Sequence, residues 1–245
     1  DGQFIGRHIG GSSSFCMDLT RFAKAGNTHN LIVYVKDEQR SGLQTIGKQC
    51  NNFYSGGCSY TRVTGIWQTV WLEAVAPAGL KTVVIRPDID QQQFVIEPEF
   101  YNESDGTLEV TLLDGQKTIG RKSVKCANSS TVILPVKKPK LWTPETPHLY
   151  DIIYRIKDTQ GHLIDEVKSY AGMRKVHTAN GLFYLNNEPY YQRLVLDQGY
   201  YPEGIWTAPT DEALKHDIEL GKESGFNGAR LHQKIFEERY YYWAD

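Results

Sequence analysis

A chain of 245 residues, 40% hydrophobic and 23% charged, has an ordinary globular composition and room for one large domain or two smaller ones. Its formal net charge of −2 excludes the broad electrostatic pull of nucleic-acid or anionic-membrane binders, and no run of about eighteen apolar residues offers a membrane-spanning helix. The four cysteines, Cys16, Cys50, Cys58 and Cys126, have no zinc-like spacing.

The opening DGQFIGRHIGG lacks the apolar core of a signal peptide and reads as the inside of a domain, as though the chain began part-way through one. Strands are expected over residues 31–37, LIVYVKD, and over residues 65–75, where Trp67 and Trp71 fall on one face. Between them RSGLQTIGKQCNNFYSGGCSY is a long loop with four glycines, a length usually kept for function or mobility. Cys50 and Cys58 flank NNFYSGG, where they can pair or stay reduced.

Residues 77–79 read as a linker. Short strand patterns follow: LKTVVIRPDI, QFVIEPEFY, GTLEVTLLD, STVILPV, LYDIIYRIKD and IDEVKSYAGMRKV, parted by the turn signals NESDG, LLDGQ and DTQG. Many short strands at this spacing predict a β-sandwich. NGLFYLNNEPY, residues 180–190, reads as a hairpin turning at Asn186 and Asn187.

The last stretch is a β-α-β pattern, which builds parallel sheet. A strand is expected over residues 190–197. A helix follows, with Thr210 as its N-cap, Leu214, Ile218 and Gly221 on its inner face, and Gly225 at its carboxyl cap. A second strand is expected over residues 226–232. Asp197 closes the first strand, and Arg230 and His232 close the second, where ligand sites of parallel α/β folds lie. Two readings stand. One is an internal Asp197–Arg230 salt bridge between strand ends. The other is a ligand site, since a strand does not bury an arginine without a partner.

LDQGYYPEGIWTAPTDEALKHDIELGKESGFNGARLHQK resembles the opening of the catalytic barrel in glycoside hydrolase family two. YTRVTGIWQTVWLE and GRHIGGSSSFCMDLT resemble blocks of that family's sugar-binding domain, and KKPKLWTPETPHLYDIIYRI and GMRKV resemble its central domain. The resemblance implies a multidomain, mainly β protein. A jelly-roll β-sandwich would cover residues 1–77 and an immunoglobulin-like β-sandwich residues 78–177. The first βα units of a (β/α)8 TIM barrel would cover residues 178–245.

The implied activity is that of a retaining exo-β-glycosidase of β-galactosidase or β-glucuronidase type, with a terminal β-linked carbohydrate as partner. Asp197, Arg230 and His232 are the implied substrate contacts, joined by Lys48 and Gln49 from the loop that follows Gly47. The family's catalytic glutamates lie on later barrel strands, so none is expected here. Asn102-Glu103 and Asn187-Glu188 are expected to be decoys. Ser59 and Tyr60 stand where some galactosidases carry an acidic residue, so no metal is expected from this segment, and no cofactor. The rival readings are a non-catalytic carbohydrate-binding module and a structural sandwich pair. Oligomeric state and compartment stay open.

Overall fold

The computed structural model describes all of residues 1–245, in twelve strands and two helices. Contacts divide the chain into two compact units. One comprises Trp71–Leu194 with Ser224–Gly228 and Asp245; the other comprises Asp1–Val70, Val195–Glu223 and Ala229–Ala244. No helix is long and apolar enough to cross a membrane.

The first unit is built on two antiparallel sheets. Strands β1 (Leu80–Asp88), β2 (Gln93–Phe100) and β5 (Val132–Pro135) form one, in the order β1-β2-β5. Strands β3 (Thr107–Asp114), β4 (Lys117–Lys125), β6 (Leu149–Lys157) and β7 (Leu163–Gly172) form the other, in the order β4-β3-β6-β7. Side chains along a strand alternate between faces, so every second residue can enter a shared core. Phe94, Ile96 and Phe100 of β2 and Tyr150, Ile152, Tyr154 and Ile156 of β6 do so and are buried. Leu108, Val110 and Leu112 of β3 and Val132 and Leu134 of β5 complete one continuous apolar cluster. The expected sandwich is therefore present.

Strand β4, KTIGRKSVK, escaped the sequence pattern. It lies at a sheet edge with only β3 beside it, and its lysines and arginine are the charges that keep an edge from pairing with other chains.

A three-stranded meander follows: β8 (Val176–Ala179), β9 (Leu182–Leu185) and β10 (Glu188–Pro189). Asn180 and Gly181 turn the first hairpin with φ of 50° and 75°, and Asn186 and Asn187 turn the second with φ of 53° and 69°. Two successive residues at positive φ are the mirror-image turn that suits strand twist, and Asn and Gly tolerate it best.

Residues 1–77, most of which lie in the second unit, depart from expectation. No strand forms over residues 31–37 or 65–75, where the sequence pattern led to two being expected. Only the isolated bridges Gln49↔Tyr60 and Gly56↔Ser59 occur there. The physical reason is pairing: a strand needs a neighbour for its N–H and C=O groups. Residues 31–37 have none, so Ile32 and Tyr34 stand 82% and 87% exposed instead of entering a core.

The β-α-β expectation holds in a shorter form: β11 (Leu194–Asp197), α1 (Asp211–Glu223), β12 (Gly228–Leu231) and α2 (Glu238–Ala244). Asn227 N donates to Arg193 O (3.0 Å) and His232 N to Asp197 O (2.8 Å). Donor and acceptor advance together, so β11 and β12 run parallel. Thr210 caps α1, its Oγ1 accepting from Ala213 N at 3.2 Å. Gly225, at φ 86°, takes the left-handed turn after the helix. Leu214, Phe236 and Tyr240 are buried together against Ile218 and Leu231, and Arg239 of α2 grips Asp211 of α1 through two hydrogen bonds of 2.8 and 2.6 Å.

Candidate functional site

The site is built on the carboxyl ends of β11 and β12, within the second unit. Leu231 faces the helices, packed against the Leu214 cluster. Its neighbours Arg230 and His232 therefore point to the other side of the sheet. There Arg230 Nη1 donates to His232 Nδ1 at 3.0 Å. Partial burial pushes the His232 pKa down, and the charges of Arg230 and Lys48 push it the same way. A neutral imidazole nitrogen can accept a hydrogen bond from the guanidinium N–H, so the two groups reinforce each other's state.

Lys48 reaches this cluster because its loop lies against the chain that leaves β12. Gly47, at φ 57°, has the carbonyl of Gln233 where a Cβ would stand. Only glycine permits both that backbone and that approach. Lys48, Arg230 and His232 thus form one basic group.

Asp197 and Gln49 do not join them. Val195 lies on the α1 side, beside Gly221, and Asp197 two residues on shares that face. Its carboxylate accepts from Gly199 N (2.8 Å), and Tyr240 Oη of α2 donates to it at 3.5 Å. Burial raises its pKa, with the Asp217 charge adding to the rise against the hydrogen bond from Gly199. The expected Asp197–Arg230 salt bridge does not form, because the two side chains leave opposite faces. Gln49 spends its side-chain oxygen inside its own loop, accepting from Gln39 Nε2 (2.8 Å) and Val63 N (3.0 Å). Cys50 and Cys58 are unpaired, the first buried and the second exposed.

Three residues of the two Asn-Glu pairs are engaged in hydrogen bonds of the sandwich and meander. Glu103 Oε1 accepts from Asn128 N (2.7 Å) and Asn102 Nδ2 donates to Pro77 O (2.6 Å). Asn187 Nδ2 donates to Asp90 Oδ1 (2.8 Å), and Glu188 is exposed on β10. No group of His, Cys, Asp or Glu is placed to hold a metal ion.

One feature escaped sequence reasoning. Lys234 Nζ donates to the carbonyls of Gly199 (2.6 Å) and Trp206 (2.5 Å), with the rings of Phe236, Trp67 and Trp206 5.0 to 5.6 Å away. It ties down the loop after β11, where Tyr200 stacks on Tyr60 at 4.0 Å and meets Trp206 edge-on at 5.4 Å. A lysine one residue past the strand-end HQ carries no spacing signal of its own.

Burial pulls the Lys234 pKa down to about 8, although the charges of Glu237 and Asp197 hold it up. The folded pKa thus lies below the unfolded 10.5, and the folded state holds fewer protons between the two values. This group makes stability rise with pH across that window. In reductively methylated protein, the Lys234 NMR signal should titrate near pH 8. The stability of the parent relative to the Lys234→Met variant should rise as the pH goes from 8 to 10.5. A signal titrating at the ordinary lysine value would contradict the burial.

Residues 78–174 match the family model for glycosyl hydrolases family 2. A β-galactosidase of Thermoanaerobacter pseudethanolicus is 26% identical over 246 residues, 94% of this chain and 31% of that protein. One from Pseudoalteromonas haloplanktis is 26% identical over 184 residues, 69% of this chain and 18% of that protein. The fold is similar to the crystal structure of Ruminococcus gnavus β-glucuronidase, with a TM-score of 0.59 and 23% identity over 68% of this chain and 28% of that one. The chain therefore spans less than a third of the length of each of these relatives.

Proposed function

The chain belongs to glycosyl hydrolase family 2, and from that premise we propose that it is part of a retaining exo-β-glycosidase acting on a terminal β-linked galactose or glucuronate. The 3+4 sandwich is then the family's immunoglobulin-like domain, within residues 78–177. The parallel β11-α1-β12-α2 unit is the opening of its (β/α)8 barrel, within residues 178–245. The observation that carries this reading is the basic group Lys48, Arg230 and His232 at the carboxyl ends of parallel strands, the end where barrel enzymes work.

In this reading Arg230 and Lys48 donate to sugar hydroxyls, and His232, whose pKa is pushed down by burial and by its cationic neighbours, offers its remaining ring nitrogen to them. Asp197 and Gln49 contribute from behind. Asp197 shapes the turn at Gly199, and Gln49 braces the loop that carries Lys48. Retaining hydrolysis needs two carboxyls about 5–5.5 Å apart, one acid/base and one nucleophile. Glu103 and Glu188 are both on the sandwich and meander side of the chain, so we assign that pair to residues outside these 245.

The test uses the full-length protein with 4-nitrophenyl β-galactoside and β-glucuronide, following the first-formed sugar by proton NMR. Release of the β-anomer is expected from one of them. Release of the α-anomer would contradict retention. Binding without hydrolysis would point to a carbohydrate-binding module instead.

A further inference from the structure

Arg40 opens the long glycine-containing loop and Arg62 stands just after it, yet the two side chains meet in space. Arg40 Nε and Arg62 Nη1 both donate to the carbonyl of Asn51, at 3.1 and 3.0 Å. Both guanidiniums also lie against the ring of Phe53, 5.4 and 4.6 Å from its centre. Two cations are thus gathered around one oxygen and one aromatic ring.

A buried side chain holds them there. Gln39, only 6% exposed, donates through Nε2 to Gln49 Oε1 (2.8 Å) and to Val63 O (2.7 Å), and Val63 N donates to the same Gln49 oxygen (3.0 Å). Gln39 precedes Arg40 and Val63 follows Arg62, so this network fixes the backbone on which both arginines stand.

Neither arginine has a carboxylate partner. The acidic residues just upstream are spent elsewhere. Asp37 accepts from Gln39 Nε2 (3.0 Å), Gln44 Nε2 (2.5 Å) and Thr64 Oγ1 (2.9 Å), and Glu38 pairs with Lys36 at 2.7 Å. Like charges held side by side repel, and a backbone carbonyl with a ring offsets this only in part. Each guanidinium carries five N–H donors and uses one nitrogen on Asn51, so most of each fork is left over. Arg40 is exposed and Arg62 half-buried, which leaves those donors open to a ligand.

We propose that Arg40 and Arg62 form a binding site for a tetrahedral dianion, a sulfate or phosphate group, either as the free ion or as an ester. The chemistry follows from the two forks. Each guanidinium pairs with two oxygens of an oxyanion, and two of them carry two charges. A carboxylate has oxygens and charge for one fork, whereas a tetrahedral dianion serves both. Phe53 and Tyr54, 70% and 78% exposed, place apolar surface beside the charge that only an ester would use. The site is independent of the glycosidase reading.

The test is calorimetric titration of the full-length protein with sulfate and with inorganic phosphate, at an ionic strength held constant with chloride. Saturable binding is expected. Arg40→Gln and Arg62→Gln should each weaken it about tenfold or more, the value of a charged hydrogen-bond pair, and Arg230→Ala should leave it unchanged. Phenyl phosphate separates the two sources: tighter binding than inorganic phosphate assigns the site to an ester, and equal binding assigns it to the free ion. If Arg62→Gln does not fold, the exposed Arg40 decides. Absence of saturable binding by all three anions, or binding that Arg40→Gln leaves unchanged, would overturn the proposal. So would binding that disappears in Arg230→Ala, which would place the anion on the basic group at the strand ends.

Discussion

Phe94→Ala is expected to destabilise the sandwich by about 3–5 kcal/mol, the usual cost of removing a fully buried phenylalanine. Phe94 is 0% exposed, pairs on either side with β1 and β5, and meets Tyr150 of the facing sheet edge-on at 5.7 Å. Truncation removes the transfer free energy of the ring, its contact with Tyr150 and the packing of Ile96 and Leu134 around it, and the rigid sheets relax only in part. For a unit of this size each kcal/mol lowers the melting temperature by about 3–5 °C, so the fall should be roughly 10 °C or more. Ile133 is the control: one residue from Leu134 on β5, it faces outward and is 40% exposed. Ile133→Ala should cost about 1 kcal/mol or less. Equal losses at the two positions, measured by urea unfolding, would mean that the two sheets do not pack through Phe94.

The sandwich was legible because its strands carry their own signal. QFVIEPEF and LYDIIYRIK alternate so regularly that each buried face can be read off before any partner is known. Strand β4 was not, since an edge strand rich in lysine has the composition of a loop until a neighbour pairs with it. The opposite error occurred at LIVYVKD, whose residues suit a strand but find no ladder to join. Local pattern states a capacity, and pairing decides whether it is used.

At the site, spacing placed Arg230 and His232 on one side of β12 correctly. It could not say that Asp197 leaves the opposite face of the sheet, because that depends on which side the helices cover. Nor could it find Lys234, whose surroundings come from residues as far apart as Trp67 and Phe236.

Arg230→Ala carries the largest expected effect on activity. Arg230 is exposed and its guanidinium is held by His232 rather than by a carboxylate, so it is oriented yet left free to meet a ligand. A hydrogen bond from a charged group to a substrate hydroxyl contributes about 1.5–3 kcal/mol, which converts to a loss of roughly ten- to a hundredfold in kcat/KM. Removing the guanidinium also removes one of the charges that depress the His232 pKa, so the imidazole should titrate at higher pH in the variant. Little stability is at stake, because an exposed side chain without an ion pair anchors nothing in the fold.

The deciding measurement is kcat/KM and melting temperature of Arg230→Ala, taken side by side in the full-length protein on its better aryl β-glycoside. Catalytic loss of at least about tenfold with an unchanged melting temperature is the predicted result. Near-normal kcat/KM with a lowered melting temperature would show that Arg230 serves the fold and that the terminal sugar is held elsewhere.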